Sequence, residues 1–110
     1  MEQRGDTMAK KTQEQPQGGT MTKPKIKRPA MYKVVMLNDD FTPMDFVVSL
    51  LTSLFDKTAQ EANEIMLQIH QSGIGVCGVY TFEVAEMKAA QAVDAARRSQ
   101  HPLRCEIERA

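Results

Sequence analysis

Two cysteines are all that this 110-residue chain contains, and they form no CxxC pair. Without a signal peptide, this usage predicts free, buried thiols in a reducing compartment rather than a disulfide-linked secreted domain. No segment approaches the roughly 20 consecutive apolar residues of a membrane-spanning helix, and the N-terminus lacks the apolar core of a secretion signal. The sequence therefore predicts a cytoplasmic protein that does not cross a membrane.

The common sequence signatures of catalysis are also missing. The chain has no GxSxG, HExxH, P-loop or paired-glycine dinucleotide motif. Cys77 lies in an apolar segment, where a small buried thiol is the usual finding, although a small thiol hydrolase built on Cys77 stays an alternative. Asp39, Asp40 and His70 are metal-ligand types without the tight spacing of a metal site, so no metal and no cofactor are predicted.

Composition divides the chain unevenly into a tail and one domain. Residues 1–30 contain Pro16, Pro24 and Pro29 but little apolar bulk. Such a segment buries too little surface to offset the entropy lost on ordering, so we interpret it as a disordered extension. Residues 31–110 are enough for one small domain.

The formal net charge of zero conceals an asymmetry between these two parts. Residues 1–30 hold seven basic and three acidic side chains, a net charge of +4, which leaves −4 for residues 31–110. A basic tail is typical either of a nucleic-acid arm or of a solubilising extension. The acidic domain lacks a basic and aromatic platform, so it favours cationic partners, and no nucleic acid is predicted as its ligand.

Apolar periodicity and turn residues predict six elements, in the order strand, helix, helix, strand, helix, strand. The first strand covers residues 31–37, which are apolar and rich in β-branched side chains. The first helix is predicted to begin with Thr42 as N-cap and Pro43 at the first helical position, and to run to about Asp56.

The second helix begins with a predicted capping box of Thr58 and Glu61. It is expected to end near His70, with Gly73 as a left-handed stop. Residues 75–80 form a glycine-punctuated apolar run that predicts the second strand.

Thr81 is predicted to cap the third helix, which has an alanine-rich apolar face and ends before Pro102. Leu103, Cys105 and Ile107 then alternate with charged residues, the period of a strand with one buried face. Each amphipathic element must bury one stripe, so we expect a single small α+β domain with three helices on one face of a mainly antiparallel three-stranded sheet.

Residues 38–44 read Asn-Asp-Asp-Phe-Thr-Pro-Met, between an apolar run and an amphipathic one. Such a stretch is either an ordinary strand-to-helix turn or a binding site built on that turn. If the first two helices are neighbours, Met44, Val47, Met66 and Ile69 line one apolar hollow with a polar rim. Such a hollow suits a ligand with a cationic end and an apolar end.

Four segments carry a family resemblance. Residues 34–47 read Val-Val-Met-Leu-Asn-Asp-Asp-Phe-Thr-Pro-Met-Asp-Phe-Val, and they are followed by Gly-Val-Tyr-Thr at residues 78–81, Glu-Val-Ala-Glu at residues 83–86 and His-Pro-Leu at residues 101–103. In order and spacing, residues 31–110 resemble the ClpS family. The resemblance implies a non-enzymatic adaptor that recognises N-terminal destabilising residues and hands substrates to a Clp-type AAA+ unfoldase paired with a protease.

The resemblance also implies which residues bind the substrate. Asn38, Asp39 and His70 are implied to hold its α-amino group, which is largely protonated at neutral pH and needs acceptors. The implied pocket for a Phe, Tyr, Trp or Leu side chain consists of Asp40, Thr42, Met44, Val47, Met66, Ile69 and Leu103. Met44 corresponds to the family's gatekeeper against β-branched residues, and Ile69 stands where the family often has valine.

Glu83 and Lys88 match positions at which the family docks the N-terminal domain of an unfoldase of the ClpA or ClpC type, and a monomer is expected. The binding residues also have structural interpretations, as turn, helix end or core. The alternative function is a structural interaction module, similar in fold to the C-terminal domain of the ribosomal stalk protein.

Overall fold

A computed structural model describes residues 29–110 of the chain. The predicted element order is confirmed, and the bounds are β1 (Met31–Leu37), α1 (Met44–Ser53), α2 (Ala59–Ser72), β2 (Ile74–Thr81), α3 (Phe82–Arg98) and β3 (Arg104–Arg109). Apart from residues 29 and 30, the predicted tail lies outside the described residues. Within residues 29–110, no helix has the length and apolar character needed to cross a membrane.

The three strands form one sheet in the order β2-β1-β3, and both pairings are antiparallel. The first strand is therefore central, which explains its nearly unbroken apolar sequence: Val34, Val35 and Met36 are at most 1% exposed. A bulge interrupts the pairing with β2 between Val34 and Val35. The alternation predicted for β3 is also present, because Cys105 and Ile107 are half-buried between exposed charged residues.

The helices enclose a single core against this sheet. From α3, Ala85, Ala89, Ala92 and Ala96 are buried, and their small side chains let the helix approach the strands closely. The predicted alanine-rich face is thus the face that packs. Larger side chains from α1, among them Leu51, fill the rest of the core.

The start of α1 differs from the sequence prediction. The helix begins at Met44 with Pro43 as its N-cap, and Thr42 lies outside it. Thr42 instead belongs to the preceding turn, where its amide and its hydroxyl both donate to the Asp39 carboxylate at 2.7 Å. The helix also ends at Ser53, three residues before the predicted Asp56.

The bounds of α2 follow the sequence closely. Thr58 and Glu61 form the predicted capping box, each side chain accepting from the other residue's main-chain amide. Gly73 ends the helix with φ of 87°, in the left-handed region that glycine adopts without steric penalty. This sharp stop turns the chain directly into β2.

The end of α3 uses a similar left-handed stop without glycine. Gln100 has φ of 62°, and the His101 amide donates to the Ala96 carbonyl oxygen at 2.8 Å. One Arg97 nitrogen, Nη1, also donates to the carbonyl oxygens of His101 and Leu103, at 2.8 and 2.9 Å. These bonds fix the loop that carries Leu103 into the core.

Candidate functional site

The candidate site lies where the end of β1, the start of α1 and the end of α2 meet. The Asn38 main-chain amide donates to the Gly73 carbonyl oxygen at 2.9 Å, one step beyond the β1–β2 pairing of Leu37 with Ile74. His70 lies in the last turn of α2, three residues before Gly73. The fold therefore brings two stretches that are 32 residues apart in sequence to one edge of the sheet.

Asp39 organises the turn at this edge. Its Oδ1 accepts from the main-chain amides of Phe41 and Thr42 at 2.8 and 2.7 Å, and its Oδ2 accepts from the Thr42 hydroxyl at 2.7 Å. The structural interpretation of this stretch as a turn is therefore correct. A carboxylate offers about four acceptor positions, so three hydrogen bonds leave it able to accept another donor.

The same contacts keep Asp39 ionised. Partial burial alone raises the pKa of its carboxyl, but the hydrogen bonds from Thr42 and Phe41, with a smaller attraction from His101, lower the pKa below its ordinary value. Asp39 is thus a fixed negative charge at neutral pH. It stands beside Asn38, whose side chain is exposed, and near the exposed His70. This edge can accept hydrogen bonds from an ammonium group.

The apolar residues predicted for the pocket come from two helices, α1 and α2, and from the loop before β3. Val47, Ile69 and Leu103 are 7%, 3% and 1% exposed and belong to one core cluster, against which half-buried Met66 packs. Met44 is 44% exposed at the first position of α1. Three of these residues and Met66 thus form an apolar base, whereas Met44 is exposed to solvent.

Ile69 reaches this position because residue 75 is glycine. A Cβ added at Gly75 would lie 2.6 Å from Ile69 Cγ1, closer than real Cβ contacts. Glycine on β2 therefore lets the end of α2 lie directly against the sheet. The glycine at position 75 of this strand is therefore needed for packing against α2, which the periodicity of the sequence did not reveal.

The two remaining residues of the predicted pocket are polar. Asp40 is exposed beside the Asp39 turn. Thr42 is half-buried, and its hydroxyl is already committed to Asp39 as a donor. Its oxygen keeps free acceptor capacity, since a hydroxyl both donates and accepts.

Glu83 and Lys88 lie apart from this edge. Glu83 is exposed in the first turn of α3. Lys88 Nζ donates to the Leu54 carbonyl oxygen at 2.6 Å and lies 5.8 Å from the Tyr80 ring centroid. Leu54 follows the last residue of α1, so the Lys88 contact is about 15 Å from the helix start at a rise of 1.5 Å per residue. Lys88 has a structural role that the sequence did not indicate.

Sequence reasoning also missed the residues that support Leu103. His101 packs edge-on against Phe46, with ring centroids 4.7 Å apart, and Arg97 binds the carbonyl oxygens described above. The position of His101 shortly after a helix and directly before a proline was the available signal. It did not identify Phe46 as the partner.

Neither thiol is placed for nucleophilic chemistry. Cys77 is fully buried, and burial is the main cause that raises its pKa to about 12. Burial likewise raises the pKa of Cys105 to about 11. Both groups are protonated near neutral pH, whereas a nucleophilic cysteine needs its thiolate. Among residues 29–110, no three His, Cys, Asp or Glu side chains are grouped to hold a metal ion.

The chain is similar to known proteins over most of its length. Residues 27–106 match the family model described as ATP-dependent Clp protease adaptor protein ClpS. The ClpS adapter of Phenylobacterium zucineum is 61% identical over 90 residues, which are 82% of this chain and 83% of that protein. The ClpS adapter of Caulobacter vibrioides strain NA1000 is 57% identical with the same two coverages.

A solved structure is also similar. Agrobacterium tumefaciens ClpS2 bound to L-phenylalaninamide superposes with a TM-score of 0.73 at 35% sequence identity. The alignment covers 76% of this chain and all of that chain. The predicted α+β fold is thereby also the fold of a solved relative.

Proposed function

Because the chain belongs to the ClpS family of adaptor proteins of the ATP-dependent Clp protease, we propose that it binds substrate proteins by a bulky hydrophobic N-terminal residue and delivers them to a Clp AAA+ unfoldase. The prediction of a non-enzymatic protein is confirmed by this family, which is one of adaptors. The observation that supports the proposal is the Asn38–Gly73 hydrogen bond, which joins the end of β1 to the end of α2, the helix that carries His70 and the core residue Ile69.

The amine end of the substrate is proposed to bind Asn38, Asp39 and His70. A free α-amino group has a reference pKa of about 7.7–8.0, so it is largely protonated at pH 7. The Asn38 amide oxygen, the Asp39 carboxylate and a neutral His70 imidazole are acceptors for its three N–H donors. A hydrogen bond of this kind to a charged group contributes about 1.5–3 kcal/mol. Acetylation of the substrate's α-amino group removes its positive charge and should prevent binding at this site.

The side chain of the first residue is proposed to enter the apolar part of the site. The proposed pocket residues are those predicted from sequence: Asp40, Thr42, Met44, Val47, Met66, Ile69 and Leu103. Burying a Phe or Leu side chain contributes about 1.5–3 kcal/mol, and flexible methionine side chains accommodate both aromatic and branched shapes. The relative from Agrobacterium supports this proposal, because its ligand L-phenylalaninamide offers a benzyl group.

Delivery is proposed to use α3, with Glu83 and Lys88 docking the N-terminal domain of an unfoldase of the ClpA or ClpC type. We propose that the chain acts in the cytoplasm as a monomer and requires no cofactor. Substrate site and docking residues would then lie near opposite ends of α1, because Lys88 contacts Leu54. A bound substrate would therefore leave the docking surface free.

Two alternatives have lost their support. A stalk-like interaction module is not favoured for a member of an adaptor family. A thiol hydrolase based on Cys77 is not favoured because that thiol is buried and protonated.

The proposal is tested by fluorescence anisotropy with labelled decapeptides that differ only in the first residue. Peptides beginning with Phe, Tyr, Trp or Leu should bind the full chain at least tenfold more tightly than one beginning with Ala, which corresponds to about 1.4 kcal/mol. Equal affinities for all five would contradict it. Addition of a Clp unfoldase and protease should then accelerate degradation of a Phe-initiated protein only when this chain is present.

A further inference from the structure

A surface depression lies on the loops that carry part of the candidate site. It has a volume of about 530 Å³, opens widely to solvent and is lined mainly by apolar atoms of Phe41, Arg97, Gln100, His101 and Pro102. We name it the Phe41 groove. None of these five residues belongs to the amine site or side-chain pocket described above.

Phe41 is the unusual residue of this groove. Its side chain belongs to a residue that is 79% exposed, although its main-chain amide is held by the Asp39 carboxylate at 2.8 Å. The backbone is thus fixed while the ring stands in water. Aromatic residues are enriched at protein interfaces relative to the rest of the surface.

The opposite wall is held firmly. The left-handed Gln100 and the His101–Ala96 hydrogen bond fix the turn after α3, and Arg97 Nη1 binds two carbonyl oxygens of the same loop. The edge-on contact with Phe46 fixes the His101 ring. A groove with such walls loses little conformational freedom when a ligand enters.

The groove and the proposed substrate site are built on the same two loops. Phe41 stands between Asp40 and Thr42, and Pro102 directly precedes Leu103. An extended peptide advances about 3.3–3.6 Å per residue, so the residues after a bound N-terminus lie within reach of these two loops. The same loops thus border the first residue and the residues that follow it.

We propose that the Phe41 groove is a second subsite, which takes an apolar side chain from the second or third residue of the substrate. This inference rests on the proposed function, since it requires the N-terminus to be anchored beside Asp39. The phenyl ring of Phe41 and the ring of Pro102 pack on that side chain. The positive charge of Arg97 disfavours a lysine or arginine there.

The test uses labelled Phe-initiated peptides that carry Leu, Gly or Lys at the second or the third position. The full chain is titrated with each peptide, beside Phe41→Ala and the matched control Phe82→Ala. Phe82 is also an exposed aromatic residue, 45% exposed, but it packs on Tyr32 at the start of α3, and it does not line the groove. The control therefore removes a phenyl ring outside the proposed subsite.

At one of the two positions, the peptide with Leu should bind about three- to tenfold more tightly than the peptide with Gly, as expected for partial burial of one aliphatic side chain. The peptide with Lys at that position should bind least tightly. Phe41→Ala should reduce the preference for Leu over Gly to less than twofold. It should leave unchanged the binding of the all-Gly peptide, which is the Phe-initiated peptide with Gly at both the second and the third position. Phe82→Ala should retain the preference.

Equal affinity for Leu and Gly at both positions would overturn the inference, as would an unchanged preference in Phe41→Ala. These outcomes leave the proposed function intact if the all-Gly peptide still binds more tightly than its N-acetylated form. Loss of that difference would instead overturn the proposed function, and the second subsite with it.

Discussion

The Asn38 amide and the Gly73 carbonyl oxygen form a 2.9 Å hydrogen bond that joins the end of β1 to the end of α2. Gly73 adopts φ of 87°, so α2 stops there and His70 remains in its last turn. Asp39, the residue after Asn38, starts the turn that leads into α1. One main-chain bond thus aligns the elements that carry all three proposed amine-binding residues.

The charge of Asp39 can be separated from its role in the turn. Asp39→Asn keeps an acceptor oxygen for the amides of Phe41 and Thr42 and removes the negative charge; its Nδ2 can donate to the Thr42 hydroxyl oxygen in place of the bond that Oδ2 accepts. Affinity for a Phe-initiated peptide should fall at least tenfold, because a hydrogen bond to a charged group contributes about 1.5–3 kcal/mol. Isothermal titration calorimetry measures the loss.

Asp45→Asn is the matched control for general electrostatics. Asp45 is exposed in the first turn of α1 and also accepts a main-chain amide bond, from Phe46 at 2.9 Å. Loss of the Asp45 charge should change the affinity for the Phe-initiated peptide by less than twofold. An equal loss in both variants would show that overall charge, rather than Asp39 itself, determines binding.

Gly75 is predicted to control the position of Ile69. Gly75→Ala would place a methyl group 2.6 Å from Ile69 Cγ1, which is buried and cannot move freely. Overpacking of this kind should lower the free energy of unfolding by about 1–3 kcal/mol and weaken peptide binding. Urea denaturation and peptide titration measure the two effects.

A double-mutant cycle with Ile69→Ala identifies the cause. Ile69→Ala removes the atoms that clash, so Gly75→Ala should be less destabilising in that background. Strictly additive effects would mean that Gly75 acts through the backbone alone.

Much of the fold follows from patterns that span a few residues. The capping box of Thr58 and Glu61, the stop at Gly73 and the alanine face of α3 were all confirmed, because each depends on neighbours within one or two helical turns. The order of the strands in the sheet could not be predicted from such local patterns, because it depends on which strands, distant in sequence, pair with each other.

The start of α1 shows why local patterns fail at the site. Thr42-Pro43 has the composition of a cap and first turn, yet the Asp39 carboxylate takes the Thr42 hydroxyl, and the helix starts one residue later than predicted. The Asp39 turn holds Thr42 through its amide and its hydroxyl and so keeps it ahead of the helix, which helix propensity alone does not predict. The close approach of Ile69 to Gly75 and the contact of Lys88 with Leu54 depend on tertiary packing, which periodicity does not contain.

Lys88 should affect stability whether or not it also docks a partner. Lys88→Met keeps the apolar stem but leaves the Leu54 carbonyl oxygen without its donor. The free energy of unfolding should fall by about 1–2 kcal/mol, within the range for an unpaired, partly buried acceptor. Urea denaturation measures the change, and an unchanged midpoint would contradict it.

Glu83→Gln is the matched variant for docking. Because Glu83 is exposed, the free energy of unfolding of this variant should differ from that of the parent by less than about 0.5 kcal/mol. Its affinity for the isolated N-terminal domain of a Clp unfoldase should nevertheless decrease, which calorimetry measures. Only this variant tests docking without a stability effect, and unchanged affinity would remove Glu83 from the interface.

The buried Cys77 thiol predicts a loss of stability in alkali. Its folded pKa of about 12 exceeds the unfolded value of about 8.5, so the unfolded state loses its proton first as pH rises. This contribution to the free energy of unfolding is complete below pH 8.5 and should decline by about 1 kcal/mol between pH 8.5 and 9.5. Urea denaturation at the two pH values measures the decline.

The Cys77→Ala variant should show a decline smaller by that amount. Its overall stability differs from that of the parent because a sulfur atom is lost from the core, so the pH dependence is the quantity to compare. Identical pH dependence in both proteins would mean that Cys77 ionises equally in the folded and unfolded states.

Recognition of the free α-amino group is the central claim, and one titration tests it most directly. A Phe-initiated peptide and its N-acetylated twin differ only in the charge and donors that Asn38, Asp39 and His70 are proposed to bind. The free peptide should bind at least a hundredfold more tightly, a difference of about 2.7 kcal/mol. Equal affinity of the two peptides would contradict the proposed mechanism.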